Sequence, residues 1–141
     1  MKPVGFLDTN IVLRHILQDY PEQATACSQL FAEVEAGRYV VQTLDTVIFE
    51  CVFTLSTGRY GMPRDVVARA LGLLISLPGI FLPGKEIYPE VFDLWVAARR
   101  LSFADAYHLV AAKNLGLHTI ISFDKGLRGV EGVKRVEPPL S

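Results

Sequence analysis

The sequence predicts an α/β fold: a three-layer α/β/α sandwich around a mostly parallel central sheet of four to five strands. Three observations predict it. Short apolar, β-branched or aromatic runs recur at 4–7, 39–41, 80–82, 118–123 and 133–136. Segments with apolar residues at helical spacing separate most of these runs. Glycine and proline mark most of the junctions. Strands alternating with helices imply right-handed crossovers, hence a parallel sheet with helices on both faces.

Each element follows from local chemistry. Val4-Gly5-Phe6-Leu7 reads as a buried parallel strand, ending at Asp8-Thr9-Asn10. Val12, Leu13, Ile16 and Leu17 give the next segment a helical stripe. Pro21 suits the first turn of a second helix, whose Ala24, Cys27, Leu30, Phe31 and Val34 share a face and which Gly37 stops. Tyr39-Val40-Val41 is a second strand. Thr43 or Asp45 caps a third helix from Thr46 to about Ser56. Gly58 and Gly61 end it, Pro63 opens a fourth through Leu77, and Pro78-Gly79 closes that one. Ile80-Phe81-Leu82 is a short strand. A fifth helix spans about Tyr88 to Arg100, and Ser102 caps a sixth from Phe103 to Asn114, with Gly116 as its stop. His118 to Phe123 is a strand, Asp124 to Leu127 a turn, and Val133 to Val136 the last strand.

At 141 residues, with no repeat and no long linker, the chain reads as a single domain over 1–141. Half of its residues are hydrophobic and its mean hydropathy is +0.30, which excludes intrinsic disorder. Fourteen Lys and Arg against 15 Asp and Glu leave a formal charge of −1 and a pI near 6.3, so there is no global basic coat. Cys27 and Cys51 lie in apolar helical contexts and read as reduced core thiols, not a disulfide scaffold. The three scattered histidines and these cysteines lack paired zinc-ligand spacing. No signal-peptide or membrane-span pattern is visible, so the expected location is the cytoplasm.

Function is expected where a parallel sheet places it, at the carboxyl ends of the strands. Asp8 follows the first strand and Asp124 follows the 118–123 strand. Asp105 lies in the first turn of the sixth helix. Glu50 has three apolar residues on each side, and an unpaired carboxylate inside a core is costly. Each has a bland reading: Asp8 as a helix cap, Asp105 as a partner of the helix dipole, Asp124 as a turn residue, Glu50 on a solvated face. Together they imply more. Neighbouring carboxylates repel, and a divalent cation removes the conflict. Mg²⁺ takes one or two carboxylates, waters and substrate phosphates, so the pattern points to a metal site open to a phosphate-containing substrate.

Four motifs, VGFLDTNIVL, VIFECVFTL, FADAYHLVAA and IISFDKGL, carry a resemblance to a known family. From Pro3 to about Pro138 the chain resembles the PIN domain, in particular the VapC-type toxins of toxin–antitoxin pairs. The resemblance implies a Mg²⁺- or Mn²⁺-dependent endoribonuclease. Asp8, Glu50, Asp105 and Asp124 match the family's acidic positions, with Asp8 and Asp105 as main metal ligands. Glu50 would bind the metal or orient its water, and Asp124 would be the outer ligand. Thr9, Asn10 and Ser122 would orient them. Ser102 stands where some members carry a further acidic residue. The resemblance also implies an RNA substrate, a small antitoxin protein as partner and a homodimer. Arg14, Arg99, Arg100, Lys125 and Arg128 are the candidate phosphate-binding cations for RNA, and Lys125 and Arg128 lead because they flank Asp124. His108 reads as a packed or rim histidine and Trp95 as core.

Two other phosphate enzymes fit less well. A haloacid-dehalogenase phosphatase needs an Asp where Asn10 stands, and a receiver domain needs a strand-end Lys that this chain lacks. A non-catalytic RNA- or protein-binding module on the same fold is the alternative from another class.

Overall fold

Residues 40–43 form the hydrogen-bonded centre of the first sheet. On one side the Val4 and Leu7 N–H groups donate to the Val40 and Gln42 carbonyls at 2.8 and 2.7 Å, and Gln42 N–H donates to Gly5 at 3.0 Å. On the other side Val41 and Thr43 N–H donate to the Gly79 and Phe81 carbonyls, both at 2.9 Å. All these pairings are parallel. Strand β1 (Val41–Gln42) pairs with β2 (Ile80–Phe81), and Phe6 bridges Gln42. The first expected strand is thus a single bridge, because the backbone bends at residues 4 and 5.

This computed structural model describes residues 1–140. The chain forms two compact units, Met1–Lys85 and a second from Glu86 onward. The first holds α1 (Thr9–Leu17), α2 (Pro21–Glu35), α3 (Asp45–Ser56) and α4 (Arg64–Ile75) with the short strands β1 and β2. Helix α1 packs on α2 and α3, and α3 packs on α4. Buried Ala24, Cys27, Phe31 and Val34 follow α2's helical period. Val12, Ile48, Cys51, Leu55, Val67, Leu71 and Ile80 are fully buried in this unit. At its end the Lys85 ammonium donates to the carbonyls of Ile75, Leu77 and Ile80 at 2.8–2.9 Å, joining the last residue of α4 to the turn before β2 and to β2 itself.

The second unit contains α5 (Tyr88–Ala97), α6 (Phe103–Asn114), β3 (Thr119–Ile121) and β4 (Lys134–Val136). Helix α5 packs on α6, and β3 pairs in parallel with β4, Thr119 opposite Lys134. Leu101, Leu109 and Leu127 form a buried cluster with Leu94, Ile120, Val130 and Val133 against it. Trp95 is core, as expected.

The α/β class and the element order agree with the sequence reading. The pairings described are these two ladders and the Phe6 bridge, and a continuous sheet of four to five strands is not among them. Helix α5 ends at Ala97, not Arg100, because a turn closes there: Leu101 N–H donates to Ala98 at 2.9 Å, and Leu101 itself is buried. Neither Thr43 nor Asp45 caps α3. Leu44 holds that position with no side-chain bond, and the buried Thr43 hydroxyl donates to the Leu7 carbonyl at 3.0 Å. Among the described residues no helix is long and apolar enough to cross a membrane. Both cysteines are free and buried.

Gly79 sits at a close approach. A Cβ there would lie 2.7 Å from Val34 Cγ1, 3.0 Å from the Tyr39 carbonyl and 3.1 Å from that of Val34. Two of the three obstacles are backbone, so the neighbours cannot simply swing away. Gly79→Ala is expected to cost about 1–3 kcal/mol, the range for overpacking. A urea midpoint equal to wild type would show that the α2–β2 packing yields.

Candidate functional site

In the first unit the site is built by the start of α1 and the exposed face of α3. Asp8 holds the N-cap position in extended conformation, φ −84° and ψ 160°, but its side chain makes no cap bond. Its carboxylate is exposed and is not used to close the helix. The bland reading of Asp8 therefore describes its position and not its side chain. The next residue, Thr9, is 5% exposed, and its hydroxyl donates to Glu50 Oε2 at 2.9 Å. That bond spans 41 residues of sequence and ties the two elements at the carboxylate.

Glu50 is not a core residue. The apolar run around it divides by helical period: Val47, Ile48, Cys51, Val52 and Leu55 are buried, whereas Thr46, Glu50, Phe53 and Thr57 are exposed. Glu50 thus stands on an open face, held by Thr9 and not by burial. Cys51 reports the charge nearby. Its thiol is pushed up to about 12, first by burial, then by the negative charges of Glu50 and Asp8. Both carboxylates therefore act on one buried group.

An all-oxygen pair of this kind suits a hard divalent cation, which needs only one or two carboxylates besides waters and phosphate. Asp8 and Glu50 fit that requirement, with the Thr9 hydroxyl orienting Glu50. Among the described residues no group of three or more His, Cys, Asp or Glu is arranged to hold a metal ion.

In the second unit, Asp105 and Asp124 are both engaged by their own backbone. Asp105 completes a capping box at the start of α6: its Oδ2 accepts Ser102 N–H at 3.3 Å, and its own N–H donates to Ser102 Oγ at 3.1 Å. Asp124 Oδ1 accepts Gly126 N–H at 2.9 Å and caps a 3₁₀ turn over Lys125–Leu127. The Ser122 hydroxyl accepts Asp124 N–H at 3.0 Å. Each bland reading of these two residues thus accounts for one carboxylate oxygen.

Two arginines hold the Asp124 loop. Arg100, which the sequence offered as a phosphate ligand, donates to the Gly126 and Arg128 carbonyls, both at 2.9 Å. Arg135 donates from Nη1 to the Ser122 carbonyl at 2.8 Å and to Glu137 at 2.6 Å. Sequence reasoning missed Arg135. Its only local signal is a charged residue inside a strand.

The expected RNA-binding cations differ in freedom. Arg14 lies 3.3 Å from Asp19 and 4.6 Å from the Tyr20 ring centroid, half-buried, and would have to leave both to reach a phosphate. Arg128 is exposed, and its Nε donates to the Lys125 carbonyl at 3.2 Å. The Lys125 ammonium is exposed and has no partner among the described residues. Asn10 and His108 are exposed.

The family model described as PIN domain matches residues 5–133. No curated protein matches the chain.

Proposed function

The chain belongs to the PIN-domain family, and on that premise we propose that it is a Mg²⁺- or Mn²⁺-dependent endoribonuclease hydrolysing RNA phosphodiester bonds. One observation carries the reading. Asp8 is exposed and released from capping, and Thr9 beside it fixes Glu50. A capping residue without function would be expected to spend its carboxylate on the helix.

Asp8 and Glu50 would hold the ion. In the second unit Asp105 and Asp124, at the family's two other acidic positions, each keep one carboxylate oxygen outside the turn it closes. The bound ion supplies a water of lowered pKa and charge opposite the phosphoryl oxygens. The Thr9 hydroxyl, donating to Oε2, restrains the Glu50 carboxylate. Lys125 and Arg128 would meet the RNA backbone beside Asp124, and Arg100 and Arg135 would keep that loop in place. On α1, Asn10 would orient Asp8, and Arg14 would be a further contact to RNA.

The finer reading is a VapC-type toxin in the cytoplasm, restrained by a small antitoxin protein and acting as a homodimer. It includes a single PIN-like domain over 1–141 with a parallel sheet of four to five strands. The PIN-domain match itself runs across both compact units. Growth arrest on expression, relieved by Asp8→Asn, is the result expected for a toxin.

The direct test is end-labelled single-stranded RNA with Mg²⁺, Mn²⁺ or EDTA. Fragments are expected with either metal and none with chelator. RNA binding without cleavage in both metals would identify a non-catalytic module instead. Charge reversal at Lys125 and Arg128 is expected to weaken RNA binding and reduce its salt slope by about one for each phosphate no longer neutralised. An unchanged slope in fluorescence anisotropy would remove both residues from the interface.

A further inference from the structure

A cavity of about 310 Å³ opens in the second unit between α5, α6 and the turn at 130–133. It lies within the size range of ligand sites, about 300–1,000 Å³. Its floor is apolar and includes Leu94 and Leu109. Its polar lining consists of Glu90, Asp93, Glu131 and Lys113, three carboxylates and one ammonium. Lys113 is ion-paired with Glu90. Asp93 and Glu131 have no ion pair or hydrogen bond among the described residues, so the lining keeps a net charge of −2.

We infer that this cavity is a docking site for a basic, aliphatic peptide segment of a protein partner. Charge complementarity decides the occupant. An RNA backbone would bring phosphate against two unpaired carboxylates, while the one cation is already taken by Glu90. A neutral apolar ligand would leave both carboxylates uncompensated beside it. A segment with Leu, Ile or Val next to Lys or Arg satisfies both parts. Its aliphatic side chain covers the floor, and its cation meets Asp93 or Glu131 as a charge-assisted pair. Such pairs set specificity and association rate as well as affinity. The inference uses none of the carboxylates assigned to RNA cleavage, so the two stand or fall separately.

The probe is the fluorescein-labelled hexapeptide Leu-Lys-Leu-Arg-Leu-Lys, titrated with the full chain and followed by anisotropy. Saturable binding is expected, weakened at least about tenfold by Asp93→Asn with Glu131→Gln. It should also weaken in about 0.5 M salt, where exposed charges are screened. Both substitutions are on exposed, unpaired side chains, and circular dichroism verifies the fold. The companion peptide Leu-Glu-Leu-Glu-Leu-Glu should not bind. Absence of saturable binding, or equal binding by the double variant, overturns the proposal. So does octylammonium binding as tightly as the hexapeptide, which would make the cavity a small-molecule site. Self-association in light scattering that the double variant abolishes would assign the cavity to a second copy, and also overturns it.

Discussion

Asp8→Asn is expected to lower RNA cleavage by at least about 100-fold. A lost carboxylate ligand withdraws several kcal/mol of charge stabilisation from the transition state, and about 1.4 kcal/mol is a factor of ten. The thermal midpoint should not move, because the Asp8 side chain is exposed and makes no cap bond. Surface changes of that kind stay within about 0.5 kcal/mol. Manganese affinity by calorimetry should fall in parallel. Thr9→Val tests the same site from behind. It removes the donor to Glu50 while keeping the shape, and an orienting residue is worth about 10–100-fold in metal affinity or activity. Cleavage by Asp8→Asn at the wild-type rate, in a folded protein, would end the assignment of this carboxylate.

Phe103→Ala is expected to destabilise the protein by about 3–5 kcal/mol, against a usual total of about 5–15. Phe103 opens α6 and is 7% exposed. Its ring centroid lies 5.3 Å from Phe92, 5.5 Å from Trp95 edge-on and 6.4 Å from Tyr88. Truncation removes the shared neighbour of three rings, and the gap cannot close without moving α5. Trp95 is the only tryptophan, so its fluorescence reports this unit directly. The denaturant midpoint should fall and the native emission shift to the red. Phe103→Leu, closer in volume, should cost under about 1.5 kcal/mol. Equal midpoints for the alanine variant and wild type would mean that the aromatic cluster is not a core. The position also matters for the site, since Phe103 anchors the turn that carries Asp105, two residues on.

Much of the architecture was legible because its causes are local. Pro21 at the first turn of α2, the Ser102–Asp105 box at α6 and the apolar period of each helix act within a few residues. The order of the acidic motifs could be read in the same way, and the family match spans all four. Glu50 marks the limit. Its apolar neighbours favoured a buried carboxylate, but α3 turns four of the six inward and leaves Glu50 outward with Phe53. A run of apolar residues does not state which side of a helix the rest of the chain will cover.

The sequence by itself determined the α/β class, the order of helices and strands, and the four carboxylates worth testing. Only the tertiary structure decided how each side chain is used. Asp8 is released from its cap, whereas Asp105 and Asp124 are held in theirs. Thr9 finds Glu50 across 41 residues, and Arg100 and Arg135 turn to backbone carbonyls of the second unit. The reason is the range of the forces. Periodicity and turn chemistry act over a few residues. A side-chain hydrogen bond depends on which donors and acceptors the folded chain brings within about 3 Å, whatever their separation in sequence.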